Sequence, residues 1–538
     1  MHEKLLMESL SHASTWSPLR QPLFRALWIA AVASNIGTWM QNVGAAWLMT
    51  SLAPTPAMVA LVQAATTLPV FLVGVPAGAI ADVVDRRSLL LATQGWMLCT
   101  AALLGALTLL NAITPWSLLL LTFALGLGAA MNAPAWQAII PELVQDDLKG
   151  AVTLNGIGYN VARAVGPALG GAVVAAFGSG AVFVLNACSF LGVMIVLYRW
   201  QRPPDPSGLP AEDVFGAMRA GVRYVRHSPP VHGVLLRTGA FIFGGSALWA
   251  LLPLVAREEL RVGATGYGVM LGCLGVGAVG GGLILPKIER QFSTDTLLTL
   301  AVVLFALATA GPVYAQQFPV LSLVLIIGGS AWIAIMSTFN VAAQVTVPAW
   351  VRARALAVYG IIAQGGVAIG SAFWGLVAER VSLSTTLILA AATLVASTAV
   401  TLRYRLRFEE PIDLTPSEHW PEPIFRTEPE PDAGPVLITV EYTIDPGRAQ
   451  NFVTAMCDVR TLRLRDGAYR WGLYNDTAAP SRFVETFVVE SWAEHVRQHG
   501  RVTVADRDVE EVARAFHVGA APPIISHLIY ARPTAVET

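Results

Sequence analysis

Along most of this chain, apolar residues run for twenty or more positions before a polar break, and the breaks recur at a regular interval. About 20 apolar residues in a helix cross the hydrocarbon core of a bilayer. By that measure the pattern predicts twelve spanning helices, over 26–50, 57–81, 89–111, 116–140, 150–177, 181–199, 230–256, 265–286, 295–316, 318–343, 354–378 and 383–403. Between the sixth and seventh lies a longer polar, Pro-rich stretch, "RPPDPSGLPAEDVFGAMRAGVRYVRHSPP", which splits the spans six and six.

From residue 404 the pattern changes. An acidic, Pro-rich run reads as a linker rather than a folded unit. Beyond it, the two-residue alternation of "VLITVEYTI" predicts a strand. A helix over about 447–465 follows, then strands "AYRWGLYND" and "RFVETFVVE" around a Pro-bearing turn. A helical region from "SWAEHVRQHGR" through "DVEEVARAFHVG" precedes a last strand, "PIISHLIYA". The order β-α-β-β-α-β is the split-βαβ arrangement, and about 100 residues suffice for a core of its own. The predicted fold is an all-α membrane protein, twelve transmembrane helices in two six-helix halves, followed by a C-terminal α+β domain. The expected divisions are an N-terminal segment 1–25, halves 26–199 and 230–403 around a central loop 200–229, a linker 404–434 and a tail domain 435–532.

Composition agrees with that division. The 538 residues are 54% hydrophobic and 13% charged, with mean hydropathy +0.57. A soluble surface needs about 25% charged residues. Net charge is −1 and no large basic patch occurs, which argues against a nucleic-acid partner. The four cysteines are scattered without metal-ligand spacing. The N-terminus lacks the apolar centre of a secretory signal, so the first span is expected to be retained. Basic residues fall on alternate connections: Arg20 and Arg25, Arg86 and Arg87, Lys149, Arg199–Arg226, Lys287 and Arg290, Arg352 and Arg354, and Arg403–Arg407. The opposite turns, "SLAPTPA", "NAITPW", "FGSG" and "AQQFP", carry no charge; "REELR" at 257–261 and "ER" at 379–380 are the exceptions. The positive-inside rule then places both termini in the cytoplasm.

The halves echo each other. "QAIIPELV" (137–144) matches "QVTVPAWV" (344–351), and Gly166…Gly171 recurs as Gly370…Gly375. Internal repeats of this kind place a substrate site near the midplane, between the halves. "GAIADVVDRRSLL" (78–90) joins spans two and three. Gly78 permits close helix approach, Asp82 shares its face, and Asp85, Arg86 and Arg87 follow. A carboxylate near two guanidiniums can clamp helices in one of two states; the alternative is a plain helix cap with positive-inside arginines.

These residues resemble the signature of the major facilitator superfamily, Gly-x-x-x-Asp-x-x-(Gly/Asp)-Arg-(Arg/Lys), matched by Gly78, Asp82, Asp85, Arg86 and Arg87. "GPALGG" resembles that superfamily's Gly-Pro-x-x-Gly-Gly motif of span five, matched by Gly166, Pro167, Gly170 and Gly171, which it associates with drug-proton antiporters. With the tail included, residues 20–535 look like the transmembrane secretion effectors, a subgroup similar to the bacterial enterobactin exporter. The resemblance implies proton-driven efflux across a bacterial inner membrane by alternating access, with small amphipathic, drug- or siderophore-like substrates.

"ARAVGPALGG" (162–171) sets Arg163 inside a span. A central charge costs at least about 2.5–3.5 kcal/mol on insertion scales, so it faces a bundle interior or a cavity. The neighbouring glycines and Pro167 make a thin face where a helix packs closely or slides. Arg163 serves substrate or coupling, or is a structural arginine satisfied by neighbouring carbonyls and amides. Asn35, Trp39, Gln41, Asn42, Asn132, Gln137 and Gln344 are candidates for lining a cavity, with an interhelical hydrogen bond as the alternative for each. No Asp or Glu falls in mid-span, which leaves the proton carrier to edge carboxylates such as Asp82, to a substrate-borne proton near Arg163, or to another coupling.

The tail resembles ferredoxin-like dimeric barrels, including cofactor-free monooxygenases. His495 and His499 have the i, i+4 spacing of metal ligands, but no third ligand is near in sequence, and no metal or cofactor is assigned. Arg470, Trp471, Glu485 and Trp492 are pocket candidates or core. The tail is read as a dimerisation or ligand-sensing module and the chain as no enzyme. Alternatives are a membrane-tethered metabolite-binding or monooxygenase-like tail coupled to transport, or an importer.

Overall fold

The computed structural model describes residues 16–53, 55–144, 147–200, 214–348, 350–404, 413–417, 419–420 and 429–531. Helices α1 (Pro22–Leu52), α2 (Pro56–Val83), α3 (Arg86–Leu109), α4 (Pro115–Leu143), α5 (Leu148–Phe177) and α6 (Ser179–Arg199) make the first half. After α7 (Val214–Arg226) come α8 (Pro229–Leu254), α9 (Ala264–Ile288), α10 (Thr294–Tyr314), α11 (Phe318–Val345), α12 (Arg352–Arg380) and α13 (Leu383–Arg403). Each predicted span coincides with a helix to within a few residues. Their starts follow local chemistry. Proline in the first turn opens α1, α2 and α4, where its missing N–H is no loss. Asp85 and Asp147 cap α3 and α5 through side-chain acceptors. Among the described residues, ten helices are long and apolar enough to cross a membrane unaided. Polar Asn35, Gln41 and Asn42 dilute α1, and α13 meets the apolar measure only over Leu383–Ala399.

The contacts divide the chain into two compact units. In the first, which holds nearly all of the spanning helices, α5 lies between α1 and α9. A Cβ at Gly166 would stand 2.6 Å from Trp39 Cβ, and one at Gly170 would stand 2.7 Å from Met40 Cα, both on α1. On the other side, a Cβ at Gly171 would stand 2.6 Å from the Ala264 carbonyl of α9, and one at Gly268 would stand 2.5 Å from the Pro167 carbonyl. Gly275 likewise faces Ala164 at 2.8 Å. The thin face expected on α5 is thus two faces, one of them meeting a second glycine row, on α9, from the other half. The repeat reproduces this: Gly370 of α12 abuts Phe243 and Ser246 of α8, and Gly375 abuts Ala57 and Ala60 of α2.

The second unit comprises α7, residues 341–358 and the chain from Arg407. Its sheet is antiparallel in the order β2-β3-β1-β4, with β1 (Val436–Thr443), β2 (Arg470–Asn475), β3 (Arg482–Val489) and β4 (Ile524–Ile529). Helices α14 (Ala449–Asp466), α15 (Trp492–Arg501) and α16 (Val504–Arg514) cover one face. Val436, Ile438, Val440 and Tyr442 alternate inward along β1 and meet Phe452 and Phe487. The second helical region is two helices, because Thr503 starts α16 with a capping box of its own. The central connection is not wholly loop: its "VFGAMRAGVRYVR" forms α7. There Tyr224 meets Trp350 edge-on at 5.7 Å, and a Cβ at Gly221 would stand 2.6 Å from Arg354 Cβ. The linker too is partly folded, since His419 and Trp420 both reach the buried Glu510.

Close approach should make Gly268 intolerant of a side chain. Gly268→Val is expected to cost about 1–3 kcal/mol by overpacking, read as a lower melting temperature of the detergent-solubilised protein. Gly78→Ala should be neutral or mildly stabilising, because a Cβ there meets open space and alanine is the better helix former.

Candidate functional site

Tyr159 and Arg163 lie one turn apart on α5, facing the junction of the halves. The Arg163 guanidinium stands 5.8 Å from the Trp249 ring centroid on α8. Trp249 meets Trp332 of α11 at 5.5 Å, and Trp39 of α1 meets Tyr159 at 6.4 Å. Arg163 Nε and Trp249 Nε1 are both buried without a hydrogen-bond acceptor. An unmet buried donor costs about 1–3 kcal/mol. Two such donors, set among aromatic rings contributed by both halves, suit an amphipathic guest carrying acceptor oxygens or negative charge.

Other predicted residues divide. Gln41 accepts a short hydrogen bond from Asn186 of α6, so it ties two helices inside the first half. Asn132 accepts from Thr93 at 3.1 Å and Gln94 at 3.3 Å, again within that half. Asn35 and Asn42 are half-buried on α1, while Gln137 and Gln344 are exposed. In the 78–90 segment, Asp85 accepts from the Ser88 N–H at 2.8 Å. Arg86 pairs with Glu142 of α4 at 2.6 Å. Arg87 donates to the Leu197 and Tyr198 carbonyls at the end of α6, at 2.9 and 2.7 Å. The arginines therefore tie α3 to α4 and α6. The side chain of Asp82 lies outside the described residues. Gly78, expected at a close approach, has nothing within 4 Å of a would-be Cβ.

Sequence reasoning missed several groups. Glu142 stood inside the quoted "QAIIPELV" but was not read as the partner of Arg86. Arg237, with only 2% of its side chain exposed, pairs with Asp295 at 2.7 Å. Arg257, noted only as a charge exception, donates to Thr50 and Ser51 of α1 at 2.8 and 2.9 Å. A π-helical turn, Val255–Glu259, carries it there. Nearby, Trp47 of α1 stacks with Tyr267 of α9 at 6.2 Å. These contacts join the halves at the end bearing the uncharged turns. At the basic end, a Cβ at Gly78, Gly156, Gly280 or Gly360, one on each of α2, α5, α9 and α12, would meet open space. Gly158, by contrast, is packed against Val32 of α1, so the open positions are particular faces of these helices.

Residues 13–534, nearly the whole chain, match the family described as transmembrane secretion effector. The chain belongs to that family. Among its relatives, a staphyloferrin A transporter of Staphylococcus aureus is 23% identical, over 64% of this chain and 86% of that protein. The multidrug efflux pump Tap of Mycolicibacterium fortuitum is 25% identical, over 68% and 91%. An enterobactin exporter of Shigella boydii is 26% identical, over 52% and 67%. Among solved structures, an inward-facing bacterial homologue of the human lysosomal transporter Spinster matches with TM-score 0.56 at 15% identity, over 72% of this chain and 95% of that one. A POT family transporter matches with TM-score 0.58 at 12% identity, over 71% and 95%. The fold is that of a major facilitator superfamily transporter.

The tail holds a cavity of about 280 Å³ between its sheet and its helices, lined in part by Ile438, Val440, Phe487 and Ile525. Arg463 bridges Glu485 at 3.0 Å and Glu510 at 2.5 Å. Glu485 also accepts from Tyr442 and Trp471, and Glu510 from Trp420. Burial alone would raise the Glu510 pKa, but Arg463, His419 and Trp420 hold it at about 2. Burial, reinforced by His527, His499 and Arg463, pushes His495 down to about 3. Of the pocket candidates, Trp471 donates to Glu485 at 3.0 Å behind the cavity wall and Trp492 packs on His495 and His527, but neither they nor Glu485 line the cavity itself. Arg470 lines the opposite sheet face. Three imidazoles cluster, with His495 4.8 Å from His527 and 5.0 Å from His499 between ring centroids, yet no three ligands converge for a metal among the described residues.

Because the folded pKa of His495 lies below its unfolded value, the unfolded chain binds more protons between the two. The stabilisation is whole above about pH 6.5 and is lost as pH falls toward 3. Acidifying from pH 7.5 to 5 should cost the tail about 2 kcal/mol, at about 1.4 kcal/mol per pH unit. Hydrogen exchange of β1 amides in the full-length protein should read this, and His495→Gln should flatten the slope.

Proposed function

We propose that this protein exports small amphipathic organic compounds across a bacterial inner membrane by proton-coupled alternating access, with both termini in the cytoplasm. The observation that carries the reading is the pair of unmet donors, Arg163 Nε and Trp249 Nε1, at the junction of the halves. Arg163 offers a cation to acceptor-bearing substrates, and Trp249, Trp332 and Trp39 offer stacking surface. The activities of its relatives, siderophore transport and drug efflux, support outward movement of such molecules. The contacts that join the halves at the uncharged-turn end, Arg257 with Thr50 and Ser51 and Trp47 with Tyr267, support an inward-facing state, as the positive-inside rule orients it.

Arg86–Glu142 and Arg237–Asp295 lie within opposite halves, so each half is braced to move as a body while Arg257 and the α5–α9 contact release. Asp82 is the carboxylate proposed for the conformational switch with Arg86 and Arg87. Asn35 and Asn42 are retained as cavity candidates. The relatives are transporters, and the tail is read as accessory rather than catalytic. Its outward sheet face, with Leu437, Tyr474, Leu528 and Tyr530, supports pairing of two tails.

Everted membrane vesicles energised to an acidic interior test this. With a pH-sensitive dye, a panel of drug-like and siderophore-like organics should include members that provoke proton efflux with the wild-type protein. Asp82→Asn should abolish the signal, and Arg163→Ala should lower it at least about tenfold, with both variants still present in the membrane. Normal transport by both would overturn the site assignment; no response to any compound would overturn proton coupling.

A further inference from the structure

The tail cavity is built by the second unit alone and has a chemistry of its own. His495 is 1% exposed and faces into it. Its Nδ1 lies 3.3 Å from Gln498 Oε1. A carbonyl oxygen only accepts, so Nδ1 carries the proton and Nε2 is left as an acceptor. That Nε2 is buried without a hydrogen-bond partner. A buried acceptor of this kind calls for a donor that the protein does not supply.

Charge and shape narrow the guest. Arg463 and Arg514 are balanced by Glu510, with which Arg463 is paired, and by Glu485 behind it, so an anion would add charge beside two buried carboxylates. Aromatic and branched side chains, Trp420, Ile438, Val440, Val459, Phe487 and Ile525 among them, make about half of the wall, and Arg463 is held 4.8 Å from the Trp420 ring and 5.0 Å from the Phe487 ring. A volume of about 280 Å³ is just under that of drug-sized sites, which begin at about 300 Å³. A neutral molecule of one or two aromatic rings with a hydroxyl group fits these terms.

The helix that supplies His495 has a second face. Glu494 and Arg501, seven residues apart, lie on that side and bond to each other at 2.6 Å. Glu494 also accepts from Arg223 of α7 at 2.9 Å. Arg501 stands 4.6 Å from the Trp350 ring in the connection between α11 and α12. A shift of α15 is therefore felt at both segments.

We propose that the tail cavity binds a neutral one- or two-ring phenol, its O–H donating to His495 Nε2, and that occupancy is passed through α15 to α7. The binding claim is independent of the transport reading; a regulatory role for the tail rests on it. Equilibrium dialysis of 2-naphthol against the full-length protein in detergent, with empty micelles as reference, tests the site. One 2-naphthol per chain should bind, and 2-methoxynaphthalene, which lacks the donor, should bind at least about tenfold more weakly. His495→Leu should lose the same factor, while His495→Gln, which keeps an acceptor, should recover most of it. Arg163→Ala should bind as wild type, which separates this site from the transport path. Equal affinity for the methoxy compound, undiminished binding by His495→Leu, or loss in Arg163→Ala would overturn the proposal. Hydrogen exchange over 214–226 should change on adding 2-naphthol and cease to respond in Glu494→Ala; an unchanged wild-type pattern would overturn the relay.

Discussion

The membrane unit depends on one contact, the backbone of α5 pressed against α1 on one side and α9 on the other. Between α5 and α9 the contact is made mostly by backbone and small side chains: Gly171 and Gly268 place their α-carbons against each other's helices, with Ala168 opposite Gly272. In lipid no hydrophobic force drives helices together, so association rests on close van der Waals fit. A row of glycines and alanines achieves that fit with few large side chains to lock the register. On α12, Gly370 packs on α8 of its own half and Gly375 on Ala57 and Ala60 of α2, so the bundle has a second close contact between the halves. Both cross-half contacts lie toward the end bearing the uncharged turns.

That constraint explains where the chemistry sits. Arg163 lies on the α5 turn preceding the glycine row, and its own carbonyl faces Gly275 of α9. Its guanidinium is thereby held among Trp249 and the aromatic residues of the junction rather than among lipid tails. The charged pairs stand elsewhere, inside each half, where they brace neighbouring helices. A seam that can slide between two braced bodies is the physical basis of the proposed alternating access.

The tail follows different rules. Its core is a split-βαβ sandwich, but its centre is polar: Arg463 bridges Glu485 and Glu510, and the tryptophans and Tyr442 complete their hydrogen bonds. Breaking one member would leave a buried charge exposed to low dielectric, at a cost of several kcal/mol. Such a network holds a cavity open that an all-apolar core would have filled.

Much of this was legible in the sequence because it is written in local periodicity. Apolar run length determined the spans, two-residue alternation the strands, and the Gly-Pro-x-x-Gly-Gly spacing the thin face of α5. Repeat and motif together pointed to the superfamily. What only the tertiary structure decided involves residues far apart in the chain, for which no local pattern exists. Nothing in "REELR" indicates that Arg257 reaches Thr50, or in "QAIIPELV" that Glu142 meets Arg86. Gln41, a plausible cavity residue by its face, turns to Asn186 instead. The glycines of α9 looked like any small residues in a span until α5 lay against them. Whether a polar side chain faces a cavity, a partner or a second helix is a property of packing, and packing is not encoded within one turn of helix.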